Sequence, residues 1–302
     1  MTDRPAAGAV LDGRYRLERL IGQGGMADVW AGEDLFLDRP VAVKVFRYGT
    51  PGVDPDRIDA EVHTIAQLNH PGIVTVFDAG GPAGQGGNGD GTPGHGRYLV
   101  MELVDGQTLA DRLMAGPLPV AEVVLLAGQL TNTLAYLHDR HVVHRDIKPA
   151  NILLQTSLAG DAQPFQARLT DFGIARPAGS GPTATTGTTI GTATYLSPEQ
   201  ATGGTVGPAT DVYALGLVLL ETLTGETAYP GHGVEAMSAR LDRPPHIPAG
   251  LGPHWAEVLA AMTAGDPARR PSAAELSREF EAWPGTDPSE PGLPTPPSGD
   301  GR

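Results

Sequence analysis

The periodicity of the chain changes once, near residues 102–106, and that change limits what the chain can fold into. Ahead of it, short runs alternate apolar and polar residues, with turn residues between them. YRLERLIG, MADVWAGED and PVAVKVF lie within residues 15–50, and IVTVFDAG and RYLVMELV follow. One stretch interrupts the strands. PDRIDAEVHTIAQLN, residues 55–69, has helical spacing, with Asp54 placed to cap it and Pro55 at its first position. Past residue 106 the spacing is helical in VAEVVLLAGQLTNTLAYLHDR, ATDVYALGLVLLETLTG and HWAEVLAAMTAG. The pattern predicts an α+β, bilobal architecture: a small antiparallel-sheet lobe with one helix, about residues 15–104, and a larger, mainly helical lobe, about residues 105–283.

The 41 glycines and 28 prolines would suggest disorder if they were spread evenly, but they cluster. Residues 80–97 (GGPAGQGGNGDGTPGHGR) read as a flexible loop, 177–189 (PAGSGPTATTGTT) as a Thr-rich mobile stretch, and 284–302 as a disordered Pro/Gly-rich tail. Residues 1–14 read as an N-terminal extension without the apolar core of a signal peptide. A formal net charge of −14 argues against a nucleic-acid partner. The absence of cysteine excludes disulfides and thiolate chemistry. No run of 18 apolar residues is present, so no transmembrane segment is expected, and a cytoplasmic location is.

Four short motifs carry the chemistry. HRDIKPAN, residues 144–151, crowds His144, Arg145, Asp146, Lys148 and Asn151 around a proline that a surface helix would not hold, so it reads as a polar loop and a candidate site. IGQGGMADV, residues 21–29, is a Gly-rich turn between strands. Gly22 and Gly24 can bring backbone N–H groups close to a phosphate, although a plain hairpin would look the same. VAVK puts Lys44 in an apolar strand, where it must snorkel or face a cleft with an acidic partner, and Glu61 on the next helix is placed to be that partner. DFG, residues 171–173, follows the apolar strand ARLT. Asp171 there suits a turn, or a Mg2+ ion together with Asn151.

Gly-rich hairpin, strand lysine, helix glutamate, HRDIKPAN, DFG and SPE (197–199) occur in succession, and in that order the sequence resembles the eukaryotic-type (Hanks-type) serine/threonine protein kinases. The resemblance covers roughly residues 15–283, and GGMADV, LNHPGIV and GTATYLSPEQ resemble its bacterial, particularly actinobacterial, branch. It implies ATP and Mg2+ (or Mn2+) as cofactors and proteins bearing Ser or Thr as substrates. It implies Asp146 as catalytic base or orienting group, Lys148 on the transferred phosphoryl, Lys44 and Glu61 as the phosphate-positioning pair, and Asn151 and Asp171 as metal ligands. Ile21, Gly22, Gln23, Gly24, Gly25, Met26, Ala27, Asp28 and Val29 would cover the nucleotide, with Ala27 where the family has its third glycine. Ala42 and Val29 would line the adenine slot behind a gatekeeper Met101, and backbone groups of Glu102 and Val104 would meet the adenine edge. His144 becomes a core residue on Phe172, Asp211 an anchor for the catalytic loop, and Glu199 with Arg270 a buried ion pair, although Arg269 beside it leaves a solvated Arg270 open. By the same resemblance Arg145 pairs with a phosphate on the activation loop. Autophosphorylation is expected within 183–189, best at Thr186, in a transient homodimer, while Thr192 is a structural contact to Asp146 and Lys148. Two other readings stand beside this one: a nucleotide-binding pseudokinase scaffold, opposed by the presence of Lys44, Asp146, Asn151 and Asp171, and a small-molecule phosphotransferase, opposed by the SPE segment and the long Thr-rich loop.

Overall fold

A computed structural model of the chain describes residues 5–25, 27–47, 62, 64–81, 96–156, 163–172, 192–230 and 234–283, without the side chains of 192–193 and 234–236. The first lobe is a six-stranded antiparallel sheet made of β1 (Val10–Leu11), β2 (Tyr15–Gln23), β3 (Ala27–Asp34), β4 (Arg39–Phe46), β5 (Val76–Gly80) and β6 (Tyr98–Glu102), in the order β1-β2-β3-β4-β6-β5. Successive side chains on a strand point to opposite faces, and here each face has its own core. Val41, Val43 and Val45 share one face with Trp30, Tyr98 and Val100, covered by Leu11, Tyr15 and Leu17. Ala42 and Phe46 turn the other way, with Leu99 and Met101, into the main core. Lys44 sits between Ala42 and Phe46 in sequence, so the same period puts it on that second, cleft-facing side.

Two boundaries differ from the sequence reading. The stretch set apart as an extension gives Val10 and Leu11 to the sheet, because Asp12 and Gly13 both take positive φ and turn the chain back into β2. The helix expected over 55–69 is described at 62 and 64–66, and it closes with tight bonds from the Gln67 and Leu68 N–H groups to the carbonyls of Thr64 and Ile65. The rest of it, like residues 82–95, 177–189 and 284–302, lies outside the described residues.

The second lobe opens with a small antiparallel sheet, β7 (Gly106–Thr108), β8 (Ile152–Thr156) and β9 (Phe165–Leu169), in the order β7-β8-β9. Its helices are α1 (Leu109–Leu113), α2 (Val120–Asp139), α3 (Pro198–Thr202), α4 (Pro208–Thr224), α5 (Val234–Asp242), α6 (Pro253–Met262) and α7 (Ala273–Glu281). On α2 the buried residues Val123, Leu126, Ala127, Leu130, Leu134 and Leu137 repeat at helical spacing, facing α4 and α7. This helix is long and apolar enough to cross a bilayer, but that stripe makes it a core helix of the lobe. By contrast α4 is buried on every side from Thr210 to Leu220, as a helix at the centre of a lobe must be. Gly216 is why α4 can lie against α6. A Cβ there would stand 2.9 Å from Thr263 Cγ2 and 3.0 Å from Met262 Cβ.

The lobes meet along β9. Leu169 donates its N–H to the Gly72 carbonyl at 2.8 Å and accepts from the Val74 N–H at 3.0 Å, so a loop leading into β5 is stitched to the strand that precedes Asp171.

Candidate active site

The catalytic-loop candidate runs between α2 and β8. Its backbone is bent at His141 and Arg145, both with positive φ, and Arg145 is a residue type that rarely adopts that conformation. Asp211, fully buried at the start of α4, compensates. Its two carboxylate oxygens accept the backbone N–H groups of His144 and Arg145, each at 2.8 Å, and His138 Nε2 lies 2.9 Å from the same group. Charge-assisted bonds to a buried carboxylate are strong enough to hold a strained residue that costs about 1–3 kcal/mol.

Pro149 then starts a 3-10 turn, Pro149–Asn151, whose fixed φ folds the chain back on itself. The turn brings Asn151 Nδ2 to the Asp146 carbonyl at 2.8 Å and to Asp146 Oδ2 at 3.0 Å. Lys148 Nζ reaches the same Oδ2 at 2.7 Å. One carboxylate oxygen is thus pinned by an ammonium two positions on and an amide five positions on, as the loop doubles back on one point. Asn151 Nδ2 also lies 3.5 Å from the Asp171 carbonyl, so the loop and the DFG aspartate adjoin.

His144 is a core residue, as its place next to Phe172 implies. It is fully buried, with ring centroids 4.7 Å apart, and burial lowers its pKa, so the ring is neutral. A proton on Nε2 satisfies both contacts. Nε2 then donates to the Thr170 carbonyl at 3.1 Å, and Nδ1 faces the Asp146 N–H at 3.4 Å.

Asp171, with φ of 56°, presents its carboxylate to Lys44 Nζ at 2.8 Å. Lys44 comes from β4 and Asp171 follows β9, so this contact bridges the two lobes. Glu61, the partner expected for Lys44, lies outside the described residues, as does Met26. Behind Met101 a small cavity is lined by Lys44, Ile65, Leu99, Met101, Asp171 and Phe172 among others.

In the small-lobe sheet the strand register brings together residues expected to hold a nucleotide. Val29 pairs with Gly22 on one neighbour and with Lys44 on the other, and Ala42 pairs with Met101. The Gly24 N–H closes the turn on the Ala27 carbonyl at 2.9 Å. Two assignments are narrowed. Asp28 is buried and its carboxylate is 2.9 Å from Arg47, so its side chain serves the sheet, and only its backbone is available to a nucleotide. The Glu102 N–H is bonded to the Thr75 carbonyl at 2.9 Å and its carboxylate to Arg168 at 2.5 Å, so an adenine contact by Glu102 falls to its carbonyl.

Asp171 and Asn151 offer a carboxylate and an amide oxygen, the hard donors that Mg2+ prefers. Among the described residues no three His, Asp or Glu side chains converge on one point.

The large-lobe anchors take their expected places. Arg270 meets Glu199 at 2.7 and 2.9 Å, and Arg269 is exposed. Gln200 was missed by sequence reasoning. It completes a reciprocal cap with Ser197 at the start of α3, and its Nε2 donates to the Arg145 carbonyl at 3.0 Å, tying α3 to the residue before Asp146. The S-x-x-Q spacing was the available signal.

Residues 15–280 match the protein kinase domain family. The chain belongs to the eukaryotic-type serine/threonine protein kinase family, in its bacterial branch. It is 40% identical over 272 residues to the serine/threonine-protein kinase PknA of Mycobacterium tuberculosis, covering 88% of this chain and 60% of PknA. It is 36% identical over 290 residues to PknL of the same organism, covering 93% of this chain and 68% of PknL. It is 35% identical to PrkC of Bacillus subtilis, covering 89% of this chain and 40% of PrkC. The PknI kinase domain of Mycobacterium tuberculosis is similar in structure, with a TM-score of 0.64 at 26% identity, covering 92% of this kinase chain and 99% of that one.

Proposed function

We propose that the chain is an ATP-dependent serine/threonine protein kinase, transferring the γ-phosphoryl group of ATP to Ser and Thr hydroxyls of proteins. The observation that carries this reading is the convergence of five groups from three segments of the chain: Lys44 with Asp171 at 2.8 Å, and on one loop Asp146 with Lys148 at 2.7 Å and Asn151 at 3.0 Å. Asp146, held in place by Lys148 and Asn151, is placed to orient an incoming hydroxyl and take its proton. Lys148, already on that carboxylate, is placed to neutralise charge on the group in transit, and Lys44 does the same for the ATP phosphates. Asp171 and Asn151 would hold the divalent ion, Mg2+ or Mn2+, which when bound supplies charge neutralisation to the phosphates. The Gly-rich turn covers the phosphates with backbone N–H groups, and Val29, Ala42 and Met101 enclose the base, with the Glu102 carbonyl and Val104 at its polar edge.

The pair Lys148 and Asp146 and the strip before SPE support Ser/Thr rather than Tyr as acceptor. ATP as donor supports a cytoplasmic setting. Activation by autophosphorylation within 183–189, read by Arg145 and carried out in a transient homodimer, is part of the proposal, and those threonines lie outside the described residues. The test is transfer of labelled phosphate from ATP to a generic protein acceptor, followed by phosphoamino-acid analysis. Label on Ser and Thr that vanishes with a chelator and returns with Mg2+ or Mn2+ is the expected result. ATP binding without transfer would turn the reading into the pseudokinase one.

A further inference from the structure

A strip beside the catalytic loop is clasped by a residue that the proposed chemistry does not use. Residues 194–197 lead into α3, and through Gln200 that helix bonds the Arg145 carbonyl, one residue from Asp146. The strip is tied at three points. Tyr195 donates its hydroxyl to Glu221 Oε2 at 2.5 Å, and Ser197 caps α3. The third tie comes from α5: Arg240 Nη1 donates to the Leu196 carbonyl and Nη2 to the Thr194 carbonyl at 3.0 Å. The two acceptors flank Tyr195, so its backbone is gripped on both sides while its side chain is held by Glu221.

Arg240 is 4% exposed, and its guanidinium lies 5.4 Å from the centre of the Tyr229 ring. That ring belongs to a small cluster with Tyr213 and Leu217, against which Tyr195 packs. Burying a guanidinium is expensive, and an apolar side chain of similar volume would fill the same space at least as favourably. What an apolar group cannot do is span two carbonyls two residues apart. Arginine can, because its donors form a rigid planar fork, and lysine can reach only one such acceptor at full strength. The choice of residue therefore points to fixing the strip, not to filling a gap.

We infer that Arg240 is a positioning residue for the protein acceptor: it fixes the edge 194–197 along which an acceptor segment must lie to bring its hydroxyl to Asp146. The inference rests on the kinase reading above. Arg240 lies on α5 of the large lobe, whereas Lys44 and Met101 belong to β4 and β6 of the small lobe, so its effect separates from nucleotide binding.

The experiment measures KM for a protein acceptor, KM for ATP, ATP hydrolysis without acceptor and thermal stability in the full chain and in Arg240→Met and Arg240→Lys, with Leu241→Ala as an exposed neighbouring control. Arg240→Met is expected to raise the acceptor KM about tenfold with ATP KM and acceptor-free hydrolysis nearly unchanged, and Arg240→Lys to recover part of the loss, on the order of threefold above wild type. An acceptor KM that does not move, or one that rises together with the ATP KM, overturns the inference. If Arg240→Met does not fold, Arg240→Lys decides by the same split: acceptor KM raised alone supports it, and acceptor KM unchanged overturns it. Wild-type chain that transfers no phosphate defeats the kinase reading itself, whereas an active wild type with an indifferent Arg240 defeats only this assignment.

Discussion

Two ion pairs in this molecule are alike in kind and opposite in setting. Glu199 and Arg270, 71 residues apart, have side chains 9% and 0% exposed, and they meet at two points. Their remaining capacity is used as well. Arg270 also donates to the carbonyls of Ala264 and Ala209, each at 2.8 Å, and Thr210 donates to Glu199 at 2.7 Å. Burial pushes the Glu199 carboxyl up, but the hydrogen bonds from Arg270 and Thr210 outweigh it and hold the group below its ordinary range. Lys44 and Asp171, 127 residues apart, are 14% and 33% exposed and meet at one point. The first pair is closed, with its strong groups mutually satisfied inside the large lobe. The second is open to the cleft and can exchange one partner for a phosphate or a metal. Saturation and burial, more than the charges themselves, separate a clamp from a working site.

The comparison predicts a double dissociation. Lys44→Met should abolish phosphate transfer, a loss of several orders of magnitude, while shifting stability by no more than about 1 kcal/mol, as a partly exposed, singly bonded pair allows. Arg270→Met should do the reverse. Removing one partner of a buried pair costs about 3–5 kcal/mol, a fall in Tm on the order of 10 °C for a chain of this size, and the molecules that remain folded should still bind nucleotide. Thermal melts and nucleotide titrations on both variants would break the comparison if Lys44→Met melted as early as Arg270→Met.

A third pair sharpens it at smaller scale. Arg14 grips Asp34 with two bonds of 2.8 Å, and Asp34 is buried while Arg14 is one-third exposed. Arg14, with help from the Leu37 and Phe36 N–H groups, lowers the Asp34 pKa from 3.8 to about 2. A carboxylate depressed on folding adds stability that is full above its unfolded pKa and is lost as pH falls through the folded one. This contribution should therefore fade between about pH 4 and pH 2, and Asp34→Asn should show a shallower loss of stability over that window in denaturant titrations. An unchanged acid limb would show that Asp34 behaves as a solvated group.

Much of this was legible in the chain. The apolar strand left Lys44 to snorkel or to face a cleft, and the structure puts it on the cleft side, because Val43 and Val45 pack on the other face. The density of HRDIKPAN marked a loop, and Pro149 explains why that loop doubles back. What stayed hidden were side-chain contacts between residues far apart in the chain: Gln200 on the Arg145 carbonyl, Arg240 on the Thr194 and Leu196 carbonyls, and Arg168 on the Glu102 carboxylate. No spacing rule encodes these, since the partners belong to separate elements and meet only when the chain folds. The choice between Arg269 and Arg270 was open for the same reason, and burial beneath Tyr213, 4.8 Å from the guanidinium, resolves it. Val10 and Leu11 are different. Asp12-Gly13 is a hairpin signal that was present in the sequence and was read as part of an extension.

The central claim is that Asp146 acts on the acceptor hydroxyl while nucleotide is held by other groups. Asp146→Asn keeps the shape of the side chain and removes its charge. Turnover and ATP affinity measured side by side on this variant test the claim most directly. The account predicts turnover reduced by about 10²–10⁴-fold with ATP affinity intact. Near-normal turnover in Asp146→Asn would contradict it.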